Sequence, residues 1–341
     1  MLFLGLFGAC GKQKNPVVPP PISLQGLNEE IKPEFQILTW PGGKPAAYTI
    51  EFDDARESHY RLAGPELARR GIAGTFNLNT QIGDWSPWIA LAAMGHEMAS
   101  HTVHHVDLTQ LSAAQVEAEL RDSQRAIEQY IGRKPVSFTA PMGKSNALVD
   151  SLAARYYLSC RCEWGINSSS PSESELYHLR GIGVYPPFSR RMLQKKLQEV
   201  VRQGGYLIVY FHSLVQQGEL PNATFAPFSL FQEHLDDVLG LADSLWIAPR
   251  GTVVKYIRLR EHARVRTRLK DGLLQCWLET DLDPGVYDVP LQVRWKIPAV
   301  WRGKRLWLYS SLRNRWRPLR PEEQKILSIR DGETITLAAA L

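Results

Sequence analysis

Between Thr39 and Glu261 short apolar runs alternate with longer segments in which apolar positions recur at helical spacing. The run Tyr48-Thr49-Ile50-Glu51-Phe52 predicts a buried strand, and runs at 71–78, 136–138, 156–162, 206–212 and 245–248 predict further ones. Helical periodicity predicts helices over 59–70, 85–94, 113–130, 146–155, 190–202, 229–244 and 251–261. The third of these opens on Ser112-Ala113-Ala114-Gln115, a capping-box pattern, and is closed by Gly132 and Pro135. Strands alternating with helices predict a parallel sheet, closed as a barrel or doubly wound. Beyond His262 the rhythm changes to short strands at 273–278, 286–295, 306–309 and 334–337, with a turn at Asp283-Pro284-Gly285, which predicts a small β-sandwich.

The first run ends in Asp53 and Asp54. Parallel-sheet folds collect their chemistry at the C-terminal tips of strands. Neighbouring side chains on a strand point to opposite faces, so two adjacent acids predict two different roles where the strand ends and turns. The plain alternative is a helix N-cap with a spare surface acid. Further on lies Ser100-His101-Thr102-Val103-His104-His105. On one helical turn His101 and His105 would share a face, and Asp54 would complete a three-ligand set for one metal ion. His104 is the competing ligand. Two other motifs fail on spacing: His96-Glu97 would need a second histidine at position 100, which is Ser, and Gly143-Lys144-Ser145 would need a glycine at position 138, which is Phe.

The acid pair and the histidine pair resemble the polysaccharide deacetylases, the NodB-homology group or carbohydrate esterase family 4, whose first motifs read T-F-D-D-G and H-[ST]-x-x-H. Here Glu51 stands for the Thr and Ala55 for the Gly. The third motif, F-R-P-P-Y-G, is matched at Phe138, Pro141 and Gly143, with Thr139 in place of the Arg and Met142 in place of the Tyr. Glu163-Trp164 echoes the fourth motif, and His212 resembles the histidine of the fifth, L-x-H.

The resemblance implies an irregular (β/α) barrel of seven or eight strands. It also implies metal ligation by Asp54, His101 and His105, with Zn²⁺ the first choice for two imidazoles and a carboxylate. Asp53 would be the base, His212 the acid, the Met142 N–H beside Pro141 an oxyanion donor, and Trp164 a sugar platform. The guanidinium that pairs with the base in the family is missing at Thr139, and Arg161 on the neighbouring strand is the candidate to replace it. The implied activity is metal-dependent removal of acetyl groups from a polysaccharide or oligosaccharide, N-acetyl ahead of O-acetyl. The alternative is a carbohydrate-binding protein whose barrel has lost catalysis and kept the metal for structure. The substituted third motif favours that view; Asp53 and His212 oppose it.

The length of 341 residues allows a large core and a smaller one. Lys plus Arg exceed Asp plus Glu by 40 to 35 without gathering into one arm, so no nucleic-acid partner is expected. Of the four cysteines, Cys10, Cys160, Cys162 and Cys276, the central two lie too close on a strand to bridge, and no zinc-ribbon spacing appears. Met1 to Ala9 is apolar, too short to span a bilayer as a helix, and leads into Cys10 like a bacterial lipoprotein signal, although no basic residue precedes it. The expected organisation is a signal over 1–10, a Pro-rich tether over 11–35, a deacetylase barrel over 36–262 and a β-sandwich over 263–341. An acetylated glycan is the expected partner, and the bacterial cell envelope, outer membrane or periplasm, the expected location, with attachment through an N-terminal lipid. Residues 263–341 carry 15 Lys plus Arg against 9 Asp plus Glu, with Trp277, Trp295, Trp301, Trp307 and Trp316 among them. Such residues can bind an anionic glycan, but the favoured reading is sandwich core with a solvated exterior.

Overall fold

The computed structural model describes residues 34–216, 218, 224–270 and 273–339, so the expected signal and nearly all of the expected tether lie outside the described residues. Two compact units emerge: Leu38–His262 with Gly285–Leu291, and Ala263–Pro284 with 292–341 and the strand β1 (Phe35–Ile37).

The first unit is built on β2 (Ala46–Asp53), β3 (Thr75–Leu78), β4 (Glu97–Ser100), β5 (Ser137–Thr139), β6 (Ser159–Trp164), β7 (Leu179–Val184) and β8 (Tyr206–Phe211). Each is parallel to the next, and β8 pairs with β2 over Ala47–Phe52, which closes a seven-stranded barrel. After it, β9 (Ser213–Val215) and β10 (Phe225–Pro227) form a separate parallel pair. The eighth barrel-sheet strand, β11 (Leu245–Ile247), pairs with Ala46–Tyr48, whereas β3 joins β2 only from Glu51 onward. This shared edge of β2 is the irregularity in the barrel.

The connecting helices are α1 (Gly64–Arg69), entered through a π-helical turn at His59–Ala63, α2 (Ser86–Ala93), α3 (Ala113–Ile131), α4 (Ala147–Ala153), α5 (Arg190–Gln203), α6 (Phe228–Gly240) and α7 (Arg250–His262). Among the described residues no helix is long and apolar enough to cross a membrane. The capping box at Ser112 and Gln115 forms, and Gly132 ends α3 with a left-handed φ of 75° that glycine adopts without penalty.

Every residue of β2 is buried, because both of its faces are covered. Tyr48, Ile50 and Phe52 join an apolar core with Leu67 of α1, Leu197 of α5 and Phe231 of α6. Phe52 stacks on Phe76 at 4.9 Å and meets Phe231 edge-on at 5.7 Å. By the two-residue period of a strand, Thr49, Glu51 and Asp53 point the other way, into the barrel. The interior is therefore polar where the outside of the barrel wall is oily.

Strand β7 is absent from the sequence-based expectation, and its glycines explain why. A Cβ on Gly181 would lie 2.9 Å from Arg161 Cδ, and one on Gly183 would lie 2.7 Å from the Tyr210 ring. The close approach requires glycine, and glycine removes the alternation by which a strand is read.

In the second unit the strands are β12 (Arg264–Lys270), β13 (Leu273–Glu279), β14 (Leu291–Trp295), β15 (Leu306–Ser310), β16 (Arg315–Pro318), β17 (Ile326–Ile329) and β18 (Thr334–Ala339). A five-stranded antiparallel sheet runs β12-β13-β18-β15-β16, and a three-stranded one runs β1-β14-β17. Phe35, expected at the end of the tether, and Gln36–Ile37, expected at the start of the barrel, instead pair antiparallel with β14. There the Phe35 ring stacks on Trp295, at 6.1 Å. The strand expected over 286–295 is confined to its last five residues. Along β13, Leu274, Cys276 and Leu278 are buried while the residues between them are not, as in a sheet with one face on a core.

Candidate active site

Strand β2 ends at Asp53, and the chain turns at once through left-handed Asp54 and Ala55, with φ of 79° and 52°. This turn separates the two acids: Asp53 stays inside the barrel while Asp54 crosses toward the loop after β4. A left-handed non-glycine residue costs on the order of 1 kcal/mol or more, so two in succession mark a conformation imposed by its surroundings.

The segment His101–His105 is not the helical turn that its spacing suggested; it is a loop with left-handed Thr102 (φ 66°) and His105 (φ 55°). Glu119 on α3 shapes it, one carboxylate oxygen accepting the Val103 and His104 N–H groups at 2.9 and 3.0 Å and the other meeting the His104 ring at 2.5 Å. His104 is thereby turned away from Asp54. The two kinks leave the His101 and His105 rings 4.7 Å apart. His101 Nδ1 donates to the Thr139 carbonyl at 2.8 Å, which aims Nε2 at the site. Asp54 Oδ1 lies 3.4 Å from His101 Nε2 and 3.2 Å from His105 Nε2, and one ligand atom from each of the three residues falls within 4.8 Å of the others. Neither contact has hydrogen-bond geometry, so Oδ1 is a buried acceptor without a donor. Burial pushes the Asp54 carboxyl up, but the imidazoles beside it outweigh burial and hold it well below the usual range.

Asp53 is held from behind. Its Oδ1 accepts from Asn77 Nδ2 at 2.8 Å, and Arg161 Nη2 reaches both oxygens at 2.7 and 2.5 Å. Arg161 Nε donates to Glu51 Oε2 at 2.9 Å, and the guanidinium lies 3.9 Å over the centre of the Tyr210 ring. Glu51 also accepts from Asn77 at 3.0 Å and lies 3.2 Å from Nε of the wholly buried Arg250. Arg250 donates in turn to the Phe138 carbonyl, Asn77 Oδ1 and Thr139 Oγ1 at 3.1, 2.7 and 2.9 Å. Two carboxylates and two guanidinium groups thus neutralise one another inside the barrel. Burial raises Asp53, but Arg161 first, then His101 and His212, bring it down to about 2. Thr139 and Arg161 are register partners on β5 and β6, so the guanidinium absent at Thr139 arrives from the next strand at the same height.

His212 follows β8, with Nε2 4.0 Å from Asp54 Oδ2. Burial lowers its pKa, against the opposing pull of Asp53 and Asp54. Its carbonyl accepts from His59 Nε2 at 2.6 Å, while His59 Nδ1 accepts the Arg56 N–H at 3.2 Å. His59 is fully buried and burial drops it to about 4, so at neutral pH it is an uncharged tie between the Asp54 turn and the backbone of His212.

Asp53, Asp54, His101, His105, Arg161 and His212 border a cleft of about 510 Å³ that Met142, Tyr185 and Trp164 also line. Trp164 is 53% exposed and meets Phe188 edge-on at 6.1 Å. Met142 has a left-handed φ of 58°. Pro141, expected to touch substrate, is buried beneath the cleft; its ring presets the backbone of the short turn that presents Met142. Glu51, Asn77, Arg250, His59 and Glu119 were not anticipated as site residues. The available signal was polar residues set within apolar strand runs, at positions 51 and 77.

Residues 41–160 match the family described as polysaccharide deacetylase. Over 292 residues, 79% of this chain, the sequence is 25% identical to a gellan lyase of Bacillus sp, of which it spans 12%. Over 109 residues, 30% of this chain, it is 29% identical to a chitin deacetylase of Pestalotiopsis sp, of which it spans 37%. A family 4 carbohydrate esterase from Streptomyces lividans, solved in complex with acetate, is similar with a TM-score of 0.43 and 22% identity, covering 58% of this chain and 90% of that one. The match spans between 12% and 52% of the length of the curated relatives.

Proposed function

We propose that this barrel, whose residues 41–160 match the polysaccharide deacetylase family, hydrolyses acetyl groups from an acetylated glycan, with a divalent ion held by Asp54, His101 and His105. The observation that carries this reading is the donorless, buried Oδ1 of Asp54 facing two imidazole nitrogens, with the separate carboxylate of Asp53 beside it. Two imidazoles and one carboxylate suit Zn²⁺. When bound, such an ion supplies Lewis acidity, which brings a water toward ionisation at neutral pH and polarises an acetyl carbonyl.

The side chains do the rest. Asp53, ionised throughout the working range, takes the proton of the attacking water. Its low basicity suits an acidified water and no other, while Arg161 and Asn77 fix its orientation. The Met142 N–H donates to the developing oxyanion. His212 gives a proton to the departing group, and the burial that lowers its pKa makes its protonated form a stronger acid than free imidazolium. An amine cannot leave as an anion, so a built-in proton donor supports N-acetyl ahead of O-acetyl substrates. Trp164 offers an exposed ring on which a sugar can stack. The reading of a barrel without catalysis drew on the substituted third motif, and Arg161 supplies the charge that Thr139 lacks.

Metal analysis of the purified protein should find close to one divalent ion per chain, and Asp54→Ala should release it. Asp53→Asn should keep the ion yet lose about 10²–10⁴-fold in turnover of acetylated chitooligosaccharides or acetylated xylan. Full occupancy in Asp54→Ala would remove the ligand assignment, and an active Asp53→Asn would remove the base.

A further inference from the structure

The outer face of the five-stranded sheet carries side chains that a solvated exterior does not need. Register places Arg268, Gln275, Thr336, Tyr309 and Trp316 in one row across all five strands. Beside it runs a row of Arg266, Trp277 and Thr334, and on the other side one of Leu273, Ala338, Trp307 and Pro318. Directly opposed residues share a face, so these rows form one surface, whereas Leu274, Cys276, Leu278 and Leu337 point into the core. The tryptophans therefore divide. Trp295 and Trp301 are core, Trp295 Nε1 donating to the Glu323 carbonyl at 2.9 Å. Trp277, Trp307 and Trp316 lie on the outer face, with Tyr309 5.5 Å from Trp316.

Two further observations point to a ligand. Trp307 is 93% buried, yet its Nε1 has no hydrogen-bond partner among the described residues, although buried indole N–H groups ordinarily find one. Arg264, Arg268 and Arg305 have no carboxylate partner among the described residues; Arg268 lies 5.7 Å over Trp277 and Arg305 lies 5.3 Å over Trp307. The acid at the outward positions of these strands is Glu279, already paired with Arg266.

We propose that this face binds an acidic glycan chain. The half-buried rings of Trp277, Tyr309 and Trp316 leave part of their aromatic surface open to the apolar faces of sugars, and half-buried Gln275 is suited to hydroxyl groups. Arginines without a carboxylate present the fork that a uronate matches. The cations gather at β12 and beside Trp307, leaving a neutral, aromatic middle. A polymer charged on some of its units fits this pattern better than a nucleic acid, whose every phosphate seeks a cation. The inference rests on the second unit and is independent of the hydrolytic reading.

The test is calorimetric titration of the full chain with galacturonate octamers, glucuronate-bearing octamers, the methyl ester of the galacturonate octamer and an oligothymidylate of equal charge. At least one acidic octamer should bind. Esterification, Trp316→Ala and Arg268→Gln should each weaken binding by about tenfold or more, with acetyl hydrolysis and the circular dichroism spectrum unchanged. Arg268 is exposed, so its variant remains informative if Trp316→Ala fails to fold. Absence of binding to both acidic octamers overturns the proposal. So does binding that both folded variants leave intact, or oligothymidylate binding as tight and indifferent to Trp316.

Discussion

The barrel interior and the outer face of the second sheet both set arginines over aromatic rings, and they use them in opposite ways. Arg161 lies over Tyr210 but is consumed by Glu51 and Asp53, and Arg250 is consumed by Glu51, Asn77 and Thr139. Arg268 lies over Trp277 with no carboxylate among the described residues. A buried guanidinium must be saturated from within, because an unpaired charge there is too costly to keep. An exposed one loses little by remaining unpaired and is available to an anion from outside. The same residue type is thus internal scaffolding in one unit and a free hand in the other.

The largest effect expected on this contrast is in the barrel. Arg250→Met and Glu51→Gln should each lower unfolding free energy by about 3–5 kcal/mol, since each leaves an opposite charge buried and uncompensated. The double variant should fall short of the sum by about 1–3 kcal/mol, because the pair is in direct contact. Urea unfolding measures all three, and strict additivity would show that the ion pair does not hold the barrel.

How far this network was legible follows from where its members lie. Asp53 and Asp54 stood out as acids ending an apolar run, and Arg161 could be reached by reasoning from strand to neighbouring strand. Arg250 could not. Its partner Asn77 is 173 residues away, and only closure of the barrel brings them to 2.7 Å. Glu51 was visible as a departure from the family motif, but nothing local named the arginines that neutralise it. The loop at 101–105 misled because histidines four apart read as a helical turn, whereas two left-handed residues and the Glu119 clamp bring the same rings together without one. Strand β7 was hidden by the glycines that let Tyr210 and Arg161 pack against it. In the second unit, β12 escaped because Arg or Lys occupies every second position of its seven residues, and β16 and β17 escaped because strands of four residues flanked by Arg, Glu and Pro resemble loops.

Acid should separate the two units next. Burial holds His59 and His234 at about 4 in the folded barrel against about 6.5 when unfolded. Below pH 6.5 the unfolded chain takes up protons that the fold refuses, so barrel stability falls between pH 6.5 and 4 by up to about 3 kcal/mol for each of the two histidines. His105 and His178 shift upward and oppose this, but less strongly. No histidine occurs in 263–341. Glu323, pushed up by burial but brought down to about 2 by Arg317 and Arg320, stabilises fully above its unfolded value and loses that contribution only as pH falls from about 4.5 toward 2. Pulsed hydrogen exchange in urea at pH 7 and pH 5 should show peptides from β2 losing protection at lower urea in acid, with peptides from β13 little changed. Equal shifts in both would mean that the buried histidines do not set the acid limit.

A smaller effect should come from exchanging one cation for another at Arg161. Lysine keeps the charge but cannot bridge Glu51 and Asp53 with two separate nitrogens, so Arg161→Lys should leave the proposed metal site intact and lose about tenfold in kcat on an aryl acetate. Arg161→Met should lose more. Wild-type turnover in the methionine variant would show that Asp53 needs no cation to hold it.

The smallest effect belongs to the sheet, and it sharpens the comparison by its size. Arg268→Gln removes an exposed guanidinium whose one described interaction is the ring of Trp277 at 5.7 Å, so unfolding free energy should change by no more than about 1 kcal/mol. Measured by urea unfolding beside Arg250→Met, the two substitutions should differ several-fold in cost although each deletes one arginine. A loss at Arg268 as large as that at Arg250 would mean that the sheet arginines are structural, and the surface would then have no charge to spare for a ligand. A small loss leaves Arg268 with an interaction too weak to account for its placement, which is the condition under which an outside anion can claim it.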